Sequence, residues 1–151
     1  MLKRGSNILS LWSGINFLLA AWILTSVVIF NANSPLLVLV FEESEIAGLS
    51  AKVIEALNTL TILYNSCSMV VSVLVWTIIR QNLVKGQKRA LGALLVTIGF
   101  VEVMAFIASA PIGNARWQVN VVQSALCVVG MGLCAYPILK PANRLHDQTA
   151  R

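Results

Sequence analysis

"ALNTLTILYNSCSMVVSVLVWTII", residues 56–79, contains no Lys, Arg, Asp or Glu. As an α-helix this run would extend about 36 Å, which is enough to cross the roughly 30 Å hydrocarbon core of a bilayer. Strands of a transmembrane β-barrel are segments of about ten residues with alternating polarity, whereas this run is longer and continuously apolar. We therefore interpret it as a transmembrane helix, which satisfies its own backbone hydrogen bonds in lipid.

The rest of the chain repeats this pattern. Of its 151 residues 58% are hydrophobic and 11% are charged, whereas a soluble domain typically carries about 25% charged residues. The short second and third connections force antiparallel neighbours, so we expect an all-α integral membrane four-helix bundle with up-down-up-down topology. Residues 1–151 then form a single transmembrane domain with a cytoplasmic tail at 140–151 and spans at about 7–30, 56–79, 90–110 and 118–139.

The basic residues predict the orientation of these spans. Nine of the eleven lie on one side, before the first span, between the second and third, and after the fourth; only Lys52 and Arg116 lie on the other. The positive-inside rule then places both termini in the cytoplasm. We expect a multi-pass protein of the plasma membrane or of a bacterial inner membrane. The net charge of +5 follows from this topology and requires no nucleic-acid partner.

The connection between the first two spans predicts a short extra helix. Pro35 suits the first position of a helix, because its missing N–H has no partner there. The apolar residues 36–41 are too few to cross a membrane, so we expect an interfacial or re-entrant helix lying against the bundle. Gly48 can end it, and Ser50 can cap the next helix, which is predicted over residues 51–80.

Glu102 is the only charged residue between Arg89 and Arg116. It lies thirteen residues after Arg89, roughly 20 Å into the membrane. The other three spans carry polar residues at a similar depth, which predicts a polar seam centred on Glu102. On its own span, Gly92 and Gly99 share its side and are expected to allow a close helix approach. The seam residues with amide or hydroxyl groups are Asn16, Asn58, Asn65, Gln123 and Ser124, with Thr61, Ser68, Ser72 and Asn120 on the same stripes.

Two interpretations of Glu102 stay open. No Lys, Arg or His lies within a predicted span, so we expect a neutral carboxyl that donates a hydrogen bond to Asn65, Gln123 or Ser124. It then either joins helices by hydrogen bonds or binds a proton or cation in a small-molecule site. In the second case the candidate ligand-binding residues are Glu102, Asn65, Asn58, Asn16, Gln123 and Ser124.

The sequence argues against an enzyme. The single histidine, His146, lies in the predicted tail, the three cysteines form no CxxC pair, and no second intramembrane carboxylate can act with Glu102 as an acid–base couple. We therefore expect no catalytic residue, no metal and no cofactor.

Two classes of function are left. The first is a structural or accessory membrane subunit, which would use a membrane-protein partner or a homo-oligomer in addition to the lipid bilayer. Of the tryptophans available for such contacts, Trp22 lies deepest and is expected to pack inside. The alternative is a binder or proton-coupled transporter of a small lipophilic or cationic molecule that uses Glu102. This resembles the logic of small multidrug-resistance transporters, although their glutamate lies in the first span and this one in the third.

Overall fold

The computed structural model describes residues 1–35, 37, 41–109 and 117–140. Within these ranges the chain is helical and contains no strand, which confirms the all-α prediction. The helices are α1 (Leu2–Val28), the single-turn α2 (Glu43–Ile46), α3 (Ala51–Ile78), α4 (Lys88–Ser109) and α5 (Trp117–Leu139). After its last residue, α3 continues without a break into a π-helical turn, Ile79–Leu83.

Some predicted features lie outside the described residues. These are the turn at 110–116, positions 36 and 38–40 of the predicted interfacial helix, and the predicted tail from residue 141 onward.

Three helical segments are long and apolar enough to cross a membrane: Leu2–Val28, Ala51–Leu83 and Asn120–Leu139. These are the segments found among the described residues; α4 carries one charged residue, Glu102, after Lys88 and Arg89 in its first turn. The chain is thus an all-helical protein with three long apolar helices among its described residues. Insertion of all four long helices in a bilayer stays a prediction.

Each of the four long helices begins before the span that the sequence predicted for it. Helix α1 already begins at Leu2, so Lys3 and Arg4 lie in its exposed first turn. A helix needs only its own backbone hydrogen bonds, so it continues past the point where the side chains become polar. Helix α3 begins at Ala51 as predicted, with Ser50 in an extended conformation at the N-cap, but the Ser50 side chain makes no capping hydrogen bond.

Helix α1 is the centre of the packing. It lies along α3 on one side and along α5 on the other, while α4 packs mainly against α5. Each of these pairs is antiparallel. Ser13 of α1 contacts Ser72 of α3, and Ser34, in the connection after α1, contacts Thr61 nearer the start of α3. Likewise, Gly5 and Leu9 of α1 lie beside Cys134 and Gly130 of α5, and Glu102 and Ala105 of α4 bond to Ser124 and Asn120 of α5. Helices α3 and α4 contact each other only sparsely. The four long helices therefore form an arrangement that is open between α3 and α4.

The apolar core is concentrated at the end that contains the α3–α4 hairpin. Its residues come from the first half of α1, the last turns of α3, the first half of α4 and the second half of α5. The π-helical turn contributes two fully buried side chains, which tie the hairpin to the core. The core members are Leu9, Trp12, Val75, Ile79, Leu83, Ala90, Leu91, Leu94, Ile98, Cys127, Cys134 and Ile138.

Helices α1 and α5 approach each other closely at two glycines. A Cβ on Gly5 would lie 2.6 Å from Cys134 Sγ, and one on Gly130 would lie 2.8 Å from Leu9 Cδ2. The prediction that Gly92 and Gly99 of α4 serve this purpose is wrong, since a Cβ at either position would meet nothing within 4 Å. Helix α4 makes its contacts through larger side chains, and these glycines face open space.

The connection between α1 and α3 is attached to α3. The Ser34 backbone N–H donates to Asn58 Oδ1 at 3.1 Å, and the Ser34 and Thr61 hydroxyls are hydrogen bonded. Leu37 is fully buried, and its carbonyl accepts a helix-like bond from Phe41 N–H at 3.0 Å. Ser34 and Leu37 are therefore buried points of this segment, and Ser34 is bonded to α3.

Candidate functional site

The carboxyl group of Glu102 connects three helices. From its place on α4 it accepts a 3.0 Å hydrogen bond at Oε1 from Trp12 Nε1 of α1. Its Oε2 is hydrogen bonded to the Ser124 hydroxyl of α5, and the Cys127 thiol, one turn further along α5, lies 3.8 Å from Oε1. Glu102 itself is half-buried. We call Trp12, Glu102, Ser124 and Cys127 the Glu102 cluster.

The chemistry of the donors sets the role of each carboxyl oxygen. The indole N–H of Trp12 can only donate, so Oε1 must accept. The Ser124 hydroxyl can donate or accept, so the bond between Ser124 and Oε2 can form with an ionised or a protonated glutamate. The bond from Trp12 is therefore kept in both states, and a proton on Glu102 would lie on Oε2. Protonation of Glu102 at rest stays a prediction.

The position of Trp12 follows from the central place of α1. Its side chain is 2% exposed, because α1 is covered by neighbours on both sides at this level. The amide of Asn16 donates to the Trp12 backbone carbonyl at 2.9 Å, one turn along the same helix. The buried indole ring thereby places its single polar atom against the carboxyl of α4.

The structure brings only part of the predicted site together. Ser124 contacts Glu102 directly, and Asn16 contacts it only through Trp12. The Asn65 amide is buried but donates to Thr61 O of its own helix, 2.8 Å away. Gln123 is half-exposed, and among the described residues it takes no part in the hydrogen bonds of the Glu102 cluster.

A second group of hydrogen bonds, separate from the Glu102 cluster, lies between α1 and α3. The Ser13 hydroxyl donates to Ser72 O at 2.5 Å. Nearer the α1–α3 connection, Ser34 is hydrogen bonded to Asn58 and Thr61. The predicted polar stripe of α3 does face inward, but toward α1 and the connection. The single seam centred on Glu102 is thus two separate groups of hydrogen bonds.

A cleft of about 130 Å³ opens between α1, α3 and α4, where the packing is incomplete. Trp12 and Asn16 form its α1 wall, and Val101, next to Glu102 in the chain, forms its α4 wall. The α3 wall consists of Tyr64, Cys67, Ser68, Val71 and Ser72. The cleft is lined mainly by apolar atoms with a few polar groups, and its volume is enough for a few water molecules or a very small ligand.

The sequence interpretation missed Trp12 as the partner of Glu102. Depth counting placed Asn16 opposite the carboxyl, but the long indole side chain reaches it from one turn nearer the N-terminus. The only available signal was that a buried Trp needs an acceptor for its N–H. The expectation that Trp22 packs inside is wrong: its side chain is 71% exposed, because neither α3 nor α5 covers that face of α1.

Metal chemistry finds no support in the part of the chain that the structure describes. These residues contain no group of three or more His, Cys, Asp or Glu side chains that could hold a metal ion.

Comparison with protein-family models, with curated proteins and with solved structures gives no match for this chain. The function must therefore be argued from the geometry and chemistry of the residues themselves.

Proposed function

We propose that this protein spans a plasma membrane or a bacterial inner membrane four times, with both termini in the cytoplasm. Three apolar helices of sufficient length support this placement, as does the concentration of basic residues at one end of the helices. The exposed surface is rich in large apolar side chains, including Leu18, Trp22, Val96, Phe100 and Val128. Apolar exposure on this scale is unfavourable in water and favourable in lipid.

Within that membrane, the chain acts as a structural or accessory subunit. The observation that carries this proposal is the Glu102 cluster, in which protein donors from α1 and α5 contact both oxygens of the intramembrane carboxyl. A glutamate that exchanged a proton for a substrate would need an oxygen open to that substrate. Here donors from two other helices contact the carboxyl, and the molecule offers an extensive apolar surface to its surroundings.

Native mass spectrometry of the protein, extracted from its own membrane in mild detergent, tests this function. Wild type is compared with Glu102→Gln and with Glu55→Gln, a matched control at an exposed position near the start of α3. We expect all three forms to retain the same protein partner or the same oligomer. A chain that is monomeric and free of partners in all three samples would contradict the proposal.

The cleft beside Trp12 favours a second candidate, a binder or proton-coupled transporter of a small molecule. One of its lining residues, Val101, is next to Glu102 along α4, and polar side chains of α1 and α3 line the other walls. In the same experiment this function predicts a low-mass adduct on wild type and Glu55→Gln that is absent from Glu102→Gln. The mass of such an adduct would identify the ligand class.

A further inference from the structure

A second recess lies on the outer face of the α1–α3 pair. Its volume is about 340 Å³, at the lower end of the roughly 300–1,000 Å³ range of small-molecule sites. Ser13 and Ser72 lie at its base, where the Ser13 hydroxyl donates to the Ser72 carbonyl. The side chains at its rim are partly exposed, so the recess is open to the surroundings. We call it the α1–α3 groove; its other lining residues are Gly14, Phe17, Leu18, Val73 and Trp76.

The groove exists partly because residue 14 has no side chain. A Cβ on Gly14 would meet nothing within 4 Å, whereas one on Gly5 of the same helix would clash with α5. Gly14 is therefore not required for a close contact between helices. Its missing side chain leaves space between Phe17 and Leu18 on one helix and Val73 and Trp76 on the other.

A cation lies at one end of the groove. The guanidinium carbon of Arg80 is 5.6 Å from the centre of the Trp76 ring, within the distance of a cation–π contact. The guanidinium has five N–H donors, so a contact with the ring leaves donors able to bind a phosphate. Arg80 is exposed and lies one helical turn beyond Trp76, at the predicted cytoplasmic end of α3.

We propose that the α1–α3 groove binds one anionic phospholipid, with an acyl chain along Gly14 and Val73 and the headgroup phosphate on Arg80. This inference rests on the proposed membrane placement. The groove is almost wholly apolar in its lining and has its charge only at one end, which matches the amphipathic shape of a phospholipid.

Charge complementarity identifies the occupant as anionic. Arg80 shares the hairpin end of the molecule with Lys85, Lys88 and Arg89, all of which are exposed. The cytoplasmic leaflet carries the anionic lipids that such clusters attract. The groove extends over only about one and a half turns of each helix, roughly 8 Å. This suits part of one acyl chain better than a partner helix, which needs several turns of contact.

The test is a lipid titration of the detergent-purified protein, read by native mass spectrometry with phosphatidylglycerol and, separately, with phosphatidylcholine. Gly14→Leu fills the groove, and Gly132→Leu is its matched control, because a Cβ on Gly132 of α5 also meets nothing within 4 Å. Arg80→Gln removes the phosphate contact, and Lys52→Gln, at an exposed position near the opposite end of α3, is the matched control.

We expect wild type to hold one phosphatidylglycerol in preference to phosphatidylcholine. Arg80→Gln should lower that binding about fivefold, the factor that corresponds to about 1 kcal/mol for one basic residue near a lipid surface. Gly14→Leu should also lower it, because the added side chain occupies the space of the acyl chain. Both control variants should bind as wild type does. Equal binding of the two lipids, equal loss in the controls, or a lipid-free homodimer that buries the groove would each overturn the inference.

Membrane extraction of every variant separates this inference from the proposed function. Suppose that all forms fractionate with membranes and show wild-type helicity by circular dichroism, but the expected differences in phosphatidylglycerol binding are not found. Then only the groove inference is wrong. If wild type is found in the soluble fraction, the proposed membrane placement is wrong as well.

Discussion

A glutamate in the middle of an apolar helix needs hydrogen-bond partners, because its desolvation costs at least about 3 kcal/mol by the lower estimates. The residue that meets this need most directly is Trp12, whose buried indole N–H would lose its own partner if Glu102 were removed. The two side chains are thus mutually dependent, although ninety positions separate them in the chain.

The pair should show a measurable coupling energy. We expect a double-mutant cycle of Trp12→Phe and Glu102→Leu, read by unfolding in detergent, to give a coupling between about 0.6 and 1.7 kcal/mol, which are the average and the maximum for side-chain hydrogen bonds between membrane helices. Glu102→Gln should lose less stability than Glu102→Leu, because its amide oxygen can still accept from Trp12. Strictly additive single mutants would contradict a bond between these residues.

At the scale of helices, the packing depends on how closely backbones approach. Helices α1 and α5 meet at Gly5 and Gly130, where a single added methyl group has no room. Close backbone approach increases van der Waals contact, which is the main attraction between helices in lipid. Helix α4 has no such glycine contact and relies on side chains such as Leu94 and Ile98 together with the Glu102 cluster.

The α1–α5 contact predicts opposite effects for two glycine substitutions. Gly5→Ala should destabilise the protein by about 1–3 kcal/mol, because the methyl group forces the helices apart. Gly132→Ala adds the same group where nothing lies within 4 Å, and should leave stability unchanged or raise it by up to about 1 kcal/mol through helix propensity. Thermal unfolding in detergent compares them, and equal effects would refute a tight contact at Gly5.

The attachment of the α1–α3 connection depends on side chains of α3. In Asn58→Ala the Ser34 backbone N–H loses its acceptor, a change of about 1 kcal/mol. We expect the Ser34 amide to exchange hydrogen about fivefold faster than in wild type. Thr59→Ala is the control, because the exposed Thr59 hydroxyl bonds only to Glu55 O of its own helix. Unchanged exchange in Asn58→Ala would contradict the attachment.

For the whole molecule, the decisive question is how the helices lie in the bilayer. The core lies at the hairpin end, which is also the basic end, while the helices are less covered at the opposite end and between α3 and α4. The proposed orientation places this well-packed end at the cytoplasmic surface. The opening between α3 and α4 would then face lipid or a partner.

Cysteine labelling of intact cells tests that orientation. In a variant with Cys67, Cys127 and Cys134 replaced by Ala, we introduce either Ser50→Cys or Gln87→Cys at exposed positions on opposite ends. A membrane-impermeant maleimide should label Ser50→Cys from outside and Gln87→Cys only after permeabilisation. The reverse pattern would show that the orientation is opposite to the proposed one. Labelling of both positions from outside would show that the two ends of α3 do not lie on opposite sides of the membrane.

Local and compositional features could be read from the sequence. The absence of charge over residues 56–79 requires a helix if the segment is in lipid, and the positions of Pro35 and Ser50 predict where helices begin. The inward face of α3 follows from the 3–4 spacing of its polar residues, since Thr61, Asn65 and Ser72 are all buried. These properties depend only on neighbours in the chain.

Only the tertiary structure decided which polar groups meet. A buried Asn or Thr can bond to the carbonyl four residues earlier in its own helix, as Asn65 does, so its presence does not identify a partner on another helix. Two contacts depend on the rotation and offset of the packed helices. One is the hydrogen bond between Trp12 and Glu102, and the other is the close helix contact, which occurs at Gly5 and not at Gly92. The sequence by itself determined the helices and their inward faces, because these follow from local hydrogen bonding and polarity. The contacts between helices required the fold, because shape complementarity over several helices sets them.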